Sequence, residues 1–287
     1  MRWVDYYIGA PICFLLSIVS SIGKLVGLGR VGKEFKPKKI LFMELSEMVS
    51  TILAYSAMKK AKELFNAELY FMIFKENESS VKLLDIIPEK NMITIRSKSF
   101  FLLFIDTIVA IFKMRAKRID TVIDMELFSR FTSILSFFSG AKAVVGFYKY
   151  HLEGLYRGNF QTHKVQYNSH YHISQNFMAQ VYALKADIKE KPLLKREIRK
   201  EEMFTAKIKS SPNDRGNIFK KLQEINPQIN SSSKIVLLNP NASQLLPIRK
   251  WPLKNFKALA ENILKMKNVF VVITGTKAEG EDARVIC

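Results

Sequence analysis

The stretch Ile40-Leu-Phe-Met-Glu-Leu-Ser-Glu-Met-Val-Ser-Thr51 sets the pattern for most of the chain: an apolar run, a polar loop, and a helical pattern around residues 51–65. A short apolar run bounded by polar residues is typical of a buried strand. The alternation continues with predicted helices around 78–85, 99–116 and 127–139 and predicted strands at Leu69–Phe74, Met92–Ile95, Thr121–Ile123 and Ala143–Phe147. Alternating strands and helices form a parallel sheet covered on both faces, so we predict a Rossmann-like α/β domain over residues 38–190.

A second alternating unit begins near residue 233. It has predicted strands at Lys234–Leu238 and Val269–Thr274, a helix at Leu253–Lys267 between them, and another helix that starts at about Glu279. Residues 191–232, which precede it, are charged and rich in turn-forming residues and are predicted to be a linker. Two strands are too few for an independent sheet of about five. We therefore expect residues 233–287 to be the incomplete start of a second Rossmann-like domain, and the chain to be a fragment.

Residues 1–37 precede this pattern and have a different character. The 18 residues from Tyr6 to Gly23 carry no charge. A length of 18 residues is the lower limit for a helix that crosses a hydrocarbon core of about 30 Å. Apolar residues recur at helical spacing on one face (Ile8, Ile12, Leu15, Val19, Ile22, Val26), and polar residues lie opposite (Ser17, Ser20, Ser21, Lys24). With the basic residues that follow, this pattern predicts an amphipathic helix lying in an anionic membrane surface. A cleaved secretory signal and a buried helix of a soluble protein are the alternatives.

The composition is that of a globular protein with a large excess of positive charge. Hydrophobic residues make up 48% of the 287 positions, which excludes a disordered chain. Lys and Arg number 45 against 26 Asp and Glu, and the net charge of +19 favours nucleic acid, anionic lipid or phosphorylated substrates as partners. The two cysteines, Cys13 and Cys287, form no disulfide framework, so a reducing cytosolic compartment is predicted.

The loop after the first predicted strand contains the first candidate functional residues, Glu44, Ser46, Glu47 and Ser50. In open α/β sheets the loops at the carboxyl ends of strands face the ligand crevice. A carboxylate in this position can accept a proton from an attacking hydroxyl. The alternative is that Glu47 and Ser50 only cap the following helix.

Two loops of the second unit contain the other candidate residues. Asn239-Pro-Asn-Ala-Ser243 follows a strand, and Arg249-Lys-Trp-Pro252 leads into a helix. A helix amino terminus with a hydroxyl and two cations suits a diphosphate. After the next strand, Gly275-Thr-Lys-Ala-Glu279 supplies an acid suited to ribose hydroxyls. The alternatives are an exposed basic loop anchored by Trp251 and a glutamate that only caps its helix.

Histidines do not predict a metal site in this chain. All of them lie within 22 residues, but no cysteine is near and no H-E-x-x-H motif occurs among His151, His163, His170 and His172. The sequence also lacks a Walker P-loop, and it has no RNP, zinc-finger or helix-turn-helix signature of a nucleic-acid-binding protein.

From about Lys38 to its end the chain resembles the ADP-heptose:lipopolysaccharide heptosyltransferases of glycosyltransferase family 9. The residues that carry the resemblance are Ile40–Thr51, Ile119–Asp124, Ser139–Lys142, Val145–Phe147, Asn239–Ser243, Arg249–Pro252 and Gly275–Glu279. The resemblance implies a GT-B fold, in which two Rossmann-like domains face a cleft, with the acceptor on the first and the nucleotide-sugar on the second.

The resemblance also implies roles for particular residues. Ser243 and Arg249 would hold the donor diphosphate, with Arg249 where the family usually has Lys, and Glu279 would bind the ribose. Asn241 and Lys250 would complete the donor site. The family's first loop has a Gly-Asp pair whose Asp is the base, and this chain has Val49-Ser50 there, so Glu47, one helical turn earlier, becomes the candidate base. The family's later D-x-G-P-x-H segment is absent.

The implied activity is transfer of a heptose or similar sugar from a nucleotide-diphosphate donor to a lipopolysaccharide core or related glycolipid. Inversion at the anomeric carbon is expected, without a metal ion or other cofactor. The partners would be the donor, the glycolipid and an anionic membrane, at the cytoplasmic face of the inner membrane, and nucleic acid would not be one. A membrane-attached, non-catalytic relative is the main alternative, and a basic nucleic-acid-binding protein is the other.

Overall fold

The computed structural model describes residues 5–25, 35–148, 156–190, 193–208, 210–241, 248, 250–276 and 279–287. The chain divides into two compact units, residues 1–208 and 209–287. The domain boundaries that we predicted, 38–190 and 233–287, stay predictions.

The first unit is a layered α/β structure. A short π-helical turn, Asp5–Gly9, leads into helix α1 (Ala10–Leu25). The elements that follow are β1 (Lys39–Met43), α2 (Met48–Leu53), α3 (Tyr55–Phe65), β2 (Glu68–Phe74), α4 (Glu78–Leu84), β3 (Met92–Ile95), α5 (Phe100–Ala116), β4 (Thr121–Asp124), α6 (Arg130–Phe138), β5 (Ala143–Phe147), β6 (His163–Val165) and α7 (Ile173–Ala183).

These strands form a parallel sheet in the order β3-β2-β1-β4-β5-β6. The order reverses direction between β1 and β4, whose register pairs Ile40 with Thr121. In open α/β sheets, ligands bind beyond the carboxyl ends of the strands at such a reversal. The loops after β1 and β4 therefore lie where a functional site is expected.

The strands are buried because both faces of the sheet are covered. Successive side chains of a strand point to opposite faces. On one side, Ile40 and Phe42 pack in a core with α3, α4 and α7. On the other side, Leu41 and Met43 pack in a core with α5 and α6. The α/β architecture predicted from the sequence is confirmed.

Helix α1 packs on α6. The Asp5 carboxylate forms an ion pair with Arg130 (Oδ2 to Nη1, 3.0 Å) and accepts a hydrogen bond from the Arg130 backbone N–H. A Cβ at Gly9 would lie 3.1 Å from Arg130 Cβ, so a glycine permits this close approach. Cys13 and Ser17 are also buried, whereas the opposite, apolar face of the helix is exposed. The predicted amphipathic helix is therefore present, with its small and polar face against the protein.

The second unit is small. It contains α8 (Pro212–Ile225), β7 (Lys234–Leu238), α9 (Leu253–Leu264), β8 (Val269–Ile273) and α10 (Gly280–Ile286). β7 and β8 are parallel, and a core that includes Leu238, Ala260 and Ile286 packs beside them. The segment 191–232, predicted to be a linker, thus includes helix α8.

Candidate active site

Glu44 follows β1 directly and is almost completely buried. Its burial, and the neighbouring carboxylate of Glu126, raise its pKa to about 10. The carboxyl group is therefore neutral at physiological pH, and it shares a hydrogen bond with Glu126.

Glu126 lies just beyond β4 and holds the loop after β1. Its Oε1 accepts hydrogen bonds from the backbone N–H of Leu45 (3.0 Å), the N–H of Ser46 (3.2 Å) and the Ser46 hydroxyl (3.0 Å). One carboxylate thus joins the ends of the two strands between which the sheet order reverses.

Glu47 is the exposed carboxylate of this loop. The Ser50 hydroxyl donates a hydrogen bond of 2.6 Å to Glu47 Oε2. Glu47 is the N-cap residue of α2, but its side chain makes no capping hydrogen bond with the backbone. Capping therefore does not account for its carboxylate, which is oriented by Ser50 at the carboxyl edge of the sheet.

A buried ion pair between Asp124 and Arg157 lies beside these carboxyl groups. Arg157 also donates to the Thr132 hydroxyl (3.0 Å) and the Ser129 carbonyl (2.8 Å), which tie it to the start of α6. Complete burial raises the pKa of Asp124 to about 6, and the guanidinium of Arg157 opposes this rise. These contacts fix the end of β4, from which Glu126 reaches the β1 loop.

In the second unit, the loops after β7 and β8 meet at Gly275. A Cβ at this position would lie 3.1 Å from Glu279 Oε2 and 3.5 Å from Asn241 Nδ2, so these predicted donor residues lie close together. Glu279 Oε2 accepts hydrogen bonds from the Thr276 N–H (2.7 Å) and hydroxyl (2.9 Å). In this structure that oxygen therefore holds the turn that precedes α10, and the Glu279 side chain makes no capping hydrogen bond to the helix itself.

The predicted diphosphate-binding residues are only partly described. Ser243 and Arg249 lie outside the described residues. Lys250 forms a 2.5 Å ion pair with Asp282 of α10. Trp251 packs edge to face on Phe256, with ring centroids 4.9 Å apart, as an anchor for the start of α9.

Glu126 and Arg157 were not predicted from the sequence. Glu126 follows a predicted strand, which is a usable signal, but its contact with residues 45 and 46 joins positions about 80 apart along the chain. Arg157 is in no recognisable motif, and only the folded chain places it against Asp124.

A parallel doubly wound sheet followed by a second α/β unit is the architecture of the GT-B fold, and solved structures with that fold match the chain. E. coli ADP-heptose lps heptosyltransferase II matches with a TM-score of 0.66 at 15% identity, covering 86% of this chain and 67% of the other. A glycosyl transferase family 9 protein from Veillonella parvula matches with a TM-score of 0.65 at 14% identity, covering 88% and 66%. E. coli heptosyltransferase WaaC, solved with ADP-2-deoxy-2-fluoro heptose, matches with a TM-score of 0.59 at 12% identity, covering 86% and 72%.

A family profile matches the sequence directly. The profile described as glycosyltransferase family 9 (heptosyltransferase) matches residues 110–286, more than half of the chain. A search of curated proteins by sequence finds no match. The chain belongs to glycosyltransferase family 9, and the resemblance noted from its motifs is confirmed.

Proposed function

We propose that the protein transfers a heptose or similar sugar from a nucleotide-diphosphate donor to the core of a lipopolysaccharide or related glycolipid. Family membership supports the reaction class. The observation that carries the residue assignment is the exposed carboxylate of Glu47, which Ser50 orients at the reversal point of the sheet. The first domain, residues 38–190, would bind the acceptor, and residues 233–287 would begin the donor domain.

Glu47 is the proposed catalytic base. Its carboxylate takes the proton from the acceptor hydroxyl, whose oxygen forms a bond to the anomeric carbon as the bond to the diphosphate breaks. Attack from the side opposite the leaving group inverts the configuration at that carbon. Ser50, which occupies the family's Asp position, acts as a positioning residue through its 2.6 Å hydrogen bond to Glu47.

Cations of the second unit would stabilise the departing diphosphate. We assign this role to Arg249 and Lys250, together with the Ser243 hydroxyl and the free N–H groups at the start of α9. Lys250 has to exchange Asp282 for phosphate oxygens when the donor binds. Glu279 and Asn241, which meet at Gly275, would bind the ribose side of the donor. This set of positive groups supplies the charge for a reaction without a metal ion.

The protein would work at the cytoplasmic face of the inner membrane. Among the described residues, Asp5–Gly23 forms one helix long and apolar enough to cross a membrane, with a mean hydropathy of 1.6. Its exposed apolar face and the net charge of +19 support attachment to an anionic lipid surface, where a glycolipid acceptor is available.

A non-catalytic, membrane-attached relative is the second candidate, because Val49-Ser50 replaces the family's Gly-Asp pair. Incubation of the full-length protein with ADP-heptose and a heptose-deficient lipopolysaccharide separates the two. Mass spectrometry is expected to show the acceptor heavier by one heptose and an equal amount of ADP, unchanged by EDTA. Saturable ADP binding without any transfer would support the non-catalytic relative instead.

A further inference from the structure

We infer that the exposed aromatic face of α5 is a second lipid-binding surface, which together with α1 lays one side of the acceptor domain on an anionic membrane. The inference extends the proposed attachment through α1, and it does not depend on which sugar is transferred.

Helix α5 is apolar over most of its circumference, and its polar residues are Asp106, Thr107, Lys113 and Arg115. Ala110 and Met114 face the core of the sheet. The opposite side exposes aromatic rings that a soluble surface would not retain: Phe100 (75% exposed), Phe101 (69%), Phe104 (59%) and Phe112 (69%). An apolar helix surface of this extent is normally buried in a core or in lipid. In the part of the chain that the structure describes, protein covers one side of α5, and a further apolar partner would cover the other.

Basic residues flank this face at both ends. Arg96 and Lys98 precede the helix, and Lys113, Arg115 and Arg118 lie at or beyond its last turn, all of them exposed. The acidic residue of α5 is Asp106, whose Oδ1 forms an ion pair with Arg96 Nη2 at 2.7 Å. Aromatic side chains between cations match the chemistry of a bilayer surface, with acyl chains below and anionic headgroups above.

The same charges argue against a second copy of the chain as the partner. Two copies of α5 packed face to face, in either direction, would place cations against cations at both ends of the interface. Like charges in contact oppose association. Anionic lipid has the complementary charge, so the lipid surface is the occupant that the charges favour.

Helices α5 and α1 are neighbours of the same helix, α6. Both helices contact α6, which covers the same side of the sheet as α5. Helix α1 likewise exposes large apolar residues on its outer face: Phe14, Leu15, Ile18, Val19 and Ile22. Two such faces on one side of the sheet give a broad contact. A broad contact fixes the orientation of the domain on the membrane, which one helix does not.

The test is cosedimentation of the whole chain with phosphatidylcholine vesicles that contain phosphatidylglycerol. The double variant Phe101→Ser/Phe112→Ser is expected to bind about tenfold or more weakly than the wild type, since each ring loses its burial in lipid. The matched control is Ile218→Ser/Ile225→Ser, which removes two exposed apolar residues of α8 and should bind as the wild type does. Circular dichroism and the unfolding midpoint check that each variant folds.

A second measurement detects insertion directly. The substitution Phe104→Trp, made in a chain with Trp3→Phe and Trp251→Phe, introduces a single fluorescent indole on this face, and brominated lipids are expected to quench it. Wild-type affinity of Phe101→Ser/Phe112→Ser, together with no quenching of the introduced indole, would overturn the inference and leave the proposed attachment through α1 standing. A lipid-free dimer in sedimentation velocity that Phe101→Ser/Phe112→Ser dissociates would also overturn it, because the face would then bind a second copy.

Discussion

Glu44 is a carboxyl group kept neutral at the edge of the sheet, and this should affect the pH dependence of folding. Its pKa is about 10 in the folded protein and 4.5 in a model peptide, so the folded state binds the extra proton between these values. The stabilisation linked to this proton is complete below pH 4.5 and is lost as the pH rises towards 10.

The Glu44→Gln variant should remove that loss, because an amide keeps a hydrogen bond to Glu126 and does not ionise. We expect its free energy of unfolding, measured in urea between about pH 5 and pH 9, to fall less steeply with pH than that of the wild type. Below pH 4.5 the two proteins should show the same pH dependence. Parallel curves over the whole range would show that Glu44 is ionised in the folded protein.

Ser50 has a different role, because its hydroxyl orients the exposed side chain of Glu47. Ser50→Ala removes the 2.6 Å hydrogen bond to Glu47 and should lower kcat for sugar transfer roughly tenfold, with little change in KM for the donor. Ser79→Ala, an exposed serine on α4, is the matched control. Steady-state kinetics at saturating acceptor provide the measurement, and an unchanged kcat in Ser50→Ala would contradict the positioning role.

At the scale of elements, the Asp5–Arg130 ion pair fastens α1 to α6. Both side chains are largely buried, so Asp5→Ala leaves an uncompensated guanidinium and should destabilise the protein by about 3 kcal/mol in urea unfolding. Adding Arg130→Met should recover only the part of this loss that comes from the unpaired guanidinium, because the hydrogen bonds from the backbone N–H groups of residues 130 and 131 to Asp5 stay lost. Glu63→Ala, which breaks the more exposed pair with Lys60, should cost about 0.5 kcal/mol or less. Equal costs for Asp5→Ala and Glu63→Ala would show that the first pair does not fasten the helix.

Helices and strands with a clear apolar pattern were predictable from the sequence. Helices that bury polar side chains, or bury none, were not. The strands Met92–Ile95 and Ala143–Phe147 have the bounds that the sequence predicted. Helix α7 was not predicted because Ser174, Gln175, Asn176 and Gln180 are buried in it, which removes the periodicity that identifies a helix. Helix α8 buries none of its residues, so its sequence has no apolar face that would distinguish it from a linker.

The candidate site shows the same limit. The hydrogen bond between Glu47 and Ser50 joins residues three apart on the chain, and such a spacing is visible in the sequence. The contact of Glu126 with the β1 loop depends on β1 and β4 being neighbours in the sheet. A single sequence does not state which strands are neighbours, so this carboxylate emerges only from the fold.

At the scale of the whole molecule, the net charge of +19 should make membrane binding depend on ionic strength. Retention on anionic vesicles should fall as NaCl rises from about 0.05 to 0.5 M, because the screening length shortens from about 14 to about 4 Å. Part of the binding should survive high salt, since apolar insertion is not screened. Complete release by salt would indicate binding by charge alone, and binding indifferent to salt would contradict a role for the charge.

Glu47→Gln is the most direct test of whether a carboxylate at the reversal point of the sheet acts as the base in glycosyl transfer. In the full-length protein, single-turnover transfer from ADP-heptose should slow by about 100-fold or more, because an amide does not accept the acceptor's proton. Donor affinity should stay the same, and Glu63→Gln, on the surface of α3, should transfer at the wild-type rate. A Glu47→Gln protein that transfers sugar as fast as the wild type would contradict the account.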